Sequence, residues 1–203
     1  QLAMESLGQL NLMSLLGRLA SKSPTPGGGA VAGLVGAQSA ALARMVVSYS
    51  LGRKSLAEHQ SQLETIATQL DNARGVMLSL ADADADAYAS LSALWGSKSE
   101  KPDEFRAAVR RAIQVPRSVM AASADLLRLC ESLAPISNPN LASDLVAAAV
   151  LAEAAAKAAS LNAHVNAEQL DGVDERDRLL SEVDTAIADA AERRARVASA
   201  SGR

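Results

Sequence analysis

Between Leu56 and Leu94 a stripe of mostly apolar residues returns at alternating intervals of three and four: Leu56, His59, Leu63, Ile66, Leu70, Ala73, Met77, Leu80, Asp84, Ala87, Leu91 and Leu94. That spacing draws one continuous line along a helix and predicts a long rod packed inside a helical bundle. A single carboxylate interrupts the line. It is Asp84, the middle aspartate of "LADADADAYASL". At about 100° per residue, Asp82 and Asp86 project well away from the seam and only Asp84 falls on it. A carboxylate facing a packed interior is costly to desolvate unless a donor meets it. Desolvation also raises its pKa, toward the range useful to a general base or acid. The structural alternatives are a wet bundle edge or an arginine partner.

The remainder of the chain has the same helical periodicity and no strand-like alternation. Six helical segments are predicted, over Met4–Ala20, Gly29–Leu51, Ser55–Leu94, Pro102–Leu133, Asn138–Leu170 and Asp174–Ala198. Pro116 is expected to kink or break the fourth. Asn138 can cap the fifth with Pro139 in its first position. The breaks near 21–28, 96–102 and 134–140 have the length of ordinary helix connections. The expected architecture is an all-α, single-domain bundle over 1–203.

Charge and composition remove several function classes. The 203 residues carry 20 Lys and Arg against 23 Asp and Glu, a net charge of −3. No basic stripe for nucleic acid is present. Tyr49, Tyr88, Trp95 and Phe105 are the only aromatics, too few and too scattered for a base-stacking platform. Cys130 is the sole cysteine, which excludes an internal disulfide or a thiolate zinc site and fits a cytoplasmic setting. His59 and His164 have no ligand-spaced partners, so no metal is expected. The uncharged run Ser23–Ala43 is long enough to consider for a membrane. Its start is Pro/Gly loop and Gln38 and Ser39 interrupt the rest, so it reads as a buried helix of a soluble protein.

That run begins "SPTPGGGAVAGLVG". Gly29, Gly33 and Gly36, with Ala30, Ala37 and Ala40, form a small-residue face suited to close helix packing. Gly27 and Gly28, preceding it, offer bare backbone, and free N–H groups at a helix start favour an anion such as a carboxylate. In the fifth segment Glu153 and Lys157 are an i,i+4 pair, and so are Asn162 and Asn166. Asp144 lies on the same side as Asn162 but five turns earlier, about 27 Å away, so the two cannot touch one small group within a subunit. Asp144 also suits the first turn of its helix for electrostatic reasons alone, and the asparagines could serve interhelical hydrogen bonds.

These features, in order, resemble the cyclodeaminase/methenyltetrahydrofolate cyclohydrolase family. The motifs are "SPTPGGGAVAGLVGAQSAALARMV", "LGRK", "DADAY", "AIQVPRSV", "NPNLASD" and "SLNAHVN", and they span about Leu12 to Ala190. The resemblance implies a helical, homodimeric enzyme acting on one-carbon adducts of tetrahydrofolate. It implies hydrolysis of 5,10-methenyltetrahydrofolate to the 10-formyl form, or closure of 5-formiminotetrahydrofolate with release of ammonia. It assigns catalysis to Asp84, four residues before Tyr88. It assigns substrate binding to Pro26, Gly27, Gly28, Gly29, Lys54, Tyr88, Ser143, Asp144, Asn162 and Asn166. No cofactor beyond the folate substrate is implied, and no nucleic-acid or membrane partner. Two segments depart from the family pattern: Arg53-Lys54-Ser55 stands where the family has several lysines, and Leu94-Trp95-Gly96-Ser97-Lys98 stands where it has a Leu-Pro-Lys segment. They keep open a folate- or partner-binding helical dimer without turnover, or an enzyme acting on another amidine or imine.

Overall fold

A computed structural model describes residues 6–202. The described residues form six α-helices with no strand: α1 (Leu12–Ala20), α2 (Gly28–Ser48), α3 (Gln60–Leu94), α4 (Pro102–Leu133), α5 (Ala142–Ala167) and α6 (Val173–Ala200). The all-α bundle expected from the periodicity is what is seen. The sequence expectation for the first helix began at Met4, which lies outside the described residues. Within them the chain starts with a 3₁₀ turn at Leu7–Gln9, and α1 begins only after Asn11, whose side chain accepts the Ser14 N–H. The 3₁₀ segments Lys54–His59 and Pro139–Leu141 occupy what the sequence reading gave to the starts of the third and fifth helices.

The core is built on α2, which packs against α3 on one side and α5 on the other, while α4 covers α3 and α5 and α6 covers α4 and α5. Small residues make this possible. A Cβ added at Gly33 would lie 2.8 Å from the Met77 carbonyl oxygen and 2.9 Å from the Ala81 nitrogen. The two backbones are therefore almost in contact. Gly36 likewise receives the Met77 side chain, with Sδ 2.6 Å from the position of a Cβ. Both neighbours run antiparallel to α2. Along α3 the pairings descend from Gly29 with Asp84 to Gly33 with Ala81. Along α5 they descend from Gly28 with Asn162 to Ser39, whose buried hydroxyl donates to the Ala148 carbonyl at 2.7 Å. By length and composition α2 could cross a membrane, but its buried positions face α3 and α5, as in the core helix of a bundle.

Seam residues Leu63, Ile66, Leu70, Met77, Ala87 and Leu91 are buried as the three-four spacing requires. His59 is only half-buried, 3.5 Å from Glu58, and is not the core histidine the seam suggested. α4 runs unbroken through Pro116, so the proline does not end it. Cys130 is buried, and burial with the neighbouring Glu131 charge pushes its thiol up to about 12, as suits a small core hydrophobe.

At the far end of α2, Asn138 joins the α2 terminus to the start of α5. Its N–H donates to Ser50 Oγ at 2.8 Å, its side chain donates to the Tyr49 carbonyl at 3.4 Å, and its Oδ1 accepts the Asn140 N–H at 3.1 Å. Glu153, buried on α5, is met by Lys157 at 2.6 Å and Arg194 of α6 at 2.9 Å. Burial pushes the Glu153 carboxyl up, but those two donors outweigh it and hold it below the ordinary range.

The backbone contact at Gly33 gives a paired test in urea denaturation. Gly33→Ala should destabilise the fold by at least about 2 kcal/mol, because overpacking falls on rigid backbone. Gly75→Ala, on α3 with nothing within 4 Å of its added Cβ, should stabilise by about 0.5–1 kcal/mol.

Candidate active site

Gly27 precedes α2 in an extended conformation and has no side chain with which to cap it. The first N–H groups of the helix are thus left without a local acceptor. Asp84 supplies one from the neighbouring helix. The Ala30 N–H donates to its carboxylate. The carboxylate lies so tightly over Gly29 that a Cβ there would be 2.5 Å from Oδ2 and nearer still to Cγ and Oδ1. Only glycine leaves room for this approach. The sequence predicted that the bare helix start would favour a carboxylate, and a carboxylate that meets it belongs to the chain itself.

Two opposing effects act on Asp84. Burial raises its proton affinity and is the larger; the Ala30 N–H lowers it. The net result is a carboxyl held above its ordinary range, anchored at one oxygen region by main chain and half-exposed. A carboxyl raised in this direction moves toward the range in which a carboxylate serves as a general base.

Around it the structure gathers part of the predicted set. Gly27 is half-buried and Gly28 exposed, so the backbone before Gly29 is open to approach. Pro26 follows a cis Thr25–Pro26 bond and is half-buried. Asn162 of α5 brings Nδ2 within 3.7 Å of the Cβ position at Gly28, while donating to the Ala158 carbonyl of its own helix at 3.1 Å. Tyr88, one turn beyond Asp84, is exposed and lies edge-on to Trp95, with ring centroids 6.5 Å apart.

The remaining residues lie elsewhere. Lys54 is exposed, before the start of α3, and Gln60 alone is about 36 Å along that helix from Asp84. Ser143 and Asp144 stand in the first turn of α5, beside the far end of α2. Asn166 donates to the Ala112 carbonyl of α4 at 2.8 Å. Asp82, read as pointing away from the packed face, accepts from Ser6 Oγ at 2.6 Å and the Leu7 N–H at 2.8 Å. It ties the N-terminal segment over the site, where Leu7 packs with Ala30 and Ala81. His164 is half-buried, bonds the Ser160 carbonyl at 2.8 Å and lies 3.4 Å from Asp184. The bare helix start was legible in the sequence, but not that Ala30 would be the donor to Asp84, since a backbone N–H carries no residue signature. Among the described residues no cluster of three or more His, Cys, Asp or Glu is placed to hold a metal.

The profile of the formiminotransferase-cyclodeaminase family matches residues 11–185. The chain belongs to that family. Formiminotetrahydrofolate cyclodeaminase from Thermotoga maritima has the same fold, with a TM-score of 0.90, 30% identity and 96% of each chain covered. Among family relatives, methenyltetrahydrofolate cyclohydrolase of Methylorubrum extorquens is 28% identical over 190 residues, covering 90% of this chain and 91% of that protein. Mouse formimidoyltransferase-cyclodeaminase is 30% identical over 173 residues, and the match spans 32% of its length.

Asp84 and Gly29 should behave as one unit. Gly29→Ala is expected to displace the carboxylate and to cost at least about 1 kcal/mol by overpacking in the native protein. In an Asp84→Ala background, the same change should cost little. A double-mutant cycle in denaturant reads the difference, and additive losses would contradict the contact.

Proposed function

We propose that the protein hydrolyses 5,10-methenyltetrahydrofolate to 10-formyltetrahydrofolate, with Asp84 as the general base. The observation that carries this reading is the half-buried Asp84 carboxylate, raised in proton affinity and fixed against the N-terminus of α2. The end-to-end likeness to a methenyltetrahydrofolate cyclohydrolase supports the choice of substrate.

The methenyl carbon is an electrophilic amidinium. A water attacks it, and Asp84 takes one proton as the new C–O bond forms. The carbinolamine then collapses: the hydroxyl proton leaves to solvent, the bond to one ring nitrogen breaks, and Asp84 returns its proton to that nitrogen. One water is consumed and one proton is released. The Gly27–Gly29 backbone and the Asn162 amide line the approach. Closure of the 5-formimino compound is the second reading, favoured by the cyclodeaminase structure that shares this fold. There the folate nitrogen attacks, the same carboxylate moves the proton, and ammonia departs.

A homodimer accounts for the division of the family-matched residues. Lys54, Ser143 and Asp144 stand too far along the rods to serve the Asp84 site of their own chain. Supplied by a second copy, they can complete it, with Lys54 offering positive charge to a substrate carboxylate.

Purified protein should bleach the methenyl absorbance, and Asp84→Asn should reduce kcat by at least about a hundredfold. Gain of absorbance from the 5-formimino substrate would instead favour the second reading, and no change with either defeats both. Stability should move the other way. A carboxyl whose folded proton affinity is raised loses native-state stability as pH rises from its ordinary value of 3.8 through the raised one. Asp84→Asn should therefore raise Tm relative to the parent, by more at pH 7 than at pH 4. For the dimer, Asp84→Asn and Lys54→Ala proteins refolded together should regain activity that neither has alone, since each mixed dimer holds one intact site. Absence of regain contradicts the shared site.

A further inference from the structure

Pro116 lies inside α4 and has no N–H to donate. The carbonyl that this N–H would otherwise serve belongs to Ala112, four residues earlier, and Ala112 is buried. A buried carbonyl without a donor is destabilising. Asn166 of α5 provides the donor, with Nδ2 2.8 Å from the Ala112 oxygen. The proline therefore creates a fixed acceptor on α4, and the asparagine reads it from α5.

The consequence reaches the active site because few polar ties set the height of α5 there: His164 lies 3.4 Å from Asp184 of α6, Glu153–Arg194 lies further along the helix, and toward α4 there is Asn166. The buried faces of α5 are largely alanine, including Ala152, Ala155, Ala159 and Ala163. Smooth alanine faces pack closely but offer few knobs to oppose sliding, and a buried polar contact is an effective way to specify register. Toward α2 the tie is Ser39 on the Ala148 carbonyl, near the other end of α5. Toward α4 the tie is Asn166. Asn162, one helical turn before Asn166, is the residue whose amide lies over Gly28.

We infer that Asn166 is a positioning residue: by occupying the carbonyl that Pro116 strands, it fixes α5 against α4 and holds the Asn162 amide at the N-terminus of α2, beside Asp84. The kinetic consequence rests on the function proposed above; the structural one does not.

The test is a set of variants in the full-length protein: Asn166→Ala, Asn166→Asp, Asn162→Ala, the Asn162→Ala/Asn166→Ala pair, Pro116→Ala, and Pro116→Ala/Asn166→Ala. Asn166→Asp keeps the shape and removes the donor. Asn166→Ala and Asn166→Asp should each lower kcat/KM about tenfold, the scale of coupled neighbours. In the Asn162→Ala background, losing Asn166 should cost less than about twofold more, since its effect passes through Asn162. Pro116→Ala gives Ala112 a local donor but no tie between α4 and α5, so Pro116→Ala/Asn166→Ala should regain Tm while its kcat/KM stays about tenfold below the parent. A lowered Tm with unchanged kcat/KM, additive losses with Asn162→Ala, or kcat/KM restored to the parent value in Pro116→Ala/Asn166→Ala overturns the inference. The last comparison decides the matter if Asn166→Ala alone does not fold. Amide hydrogen exchange gives a readout independent of turnover: exchange at Gly28–Ala30 should quicken in Asn166→Asp and in Pro116→Ala/Asn166→Ala alike. Unchanged exchange overturns the inference. If the parent protein turns over neither folate, the proposed function falls, and hydrogen exchange still decides the role of Asn166.

Discussion

The N-terminus of α2 presents main-chain donors with no side chain of its own to receive them, and Asp84 comes from α3 to take that place. Much follows from this one contact. The carboxylate can come close only because residue 29 has no Cβ, and α3 can come close only because Gly33 and Gly36 let its backbone and Met77 nest against α2. The same lack of side chains leaves Gly28 open to approach from outside. The packing surface and the candidate site are consecutive turns of one glycine-lined helix face.

The contact also sets a balance. Helix N-terminal charge and the Ala30 N–H favour the anion; removal from water opposes it and is the larger effect. A base useful near neutral pH must be neither a freely solvated carboxylate nor one paired with a full positive charge. Glu153 shows the contrast within the same bundle. Its side chain is less accessible to solvent than that of Asp84, yet Lys157 and Arg194 hold its proton affinity below the ordinary range, and it serves to join α5 to α6. Two carboxylates in one core are assigned different work by what donates to them.

Much of this was legible in the sequence, and the reasons are local. The three-four spacing from Leu63 to Leu91 reported the buried face of α3, and it isolated Asp84 because a carboxylate in that line needs an explanation. The triple glycine reported a bare helix start. Their meeting was not legible, because it depends on the antiparallel register of α2 and α3. His59 and Asp82 show the same limit. Periodicity gave each a face, but the 3₁₀ segment at Lys54–His59 turned His59 outward, and the segment at Ser6–Leu7 came back to claim Asp82. Pro116 is the reverse case. Proline chemistry predicts an orphaned carbonyl, and only the fold could show that Asn166, fifty-four positions from Ala112, answers it.

The central claim is that the Asp84 carboxyl is seated on the α2 backbone and made more basic by burial. A pH titration followed by NMR tests it most directly, observing the Asp84 carboxyl carbon and the Ala30 amide together. The account predicts a midpoint above the ordinary value of 3.8, with the Ala30 amide proton shifting along the same curve. A midpoint at or below that value, or an Ala30 amide that does not respond to the Asp84 transition, would contradict it.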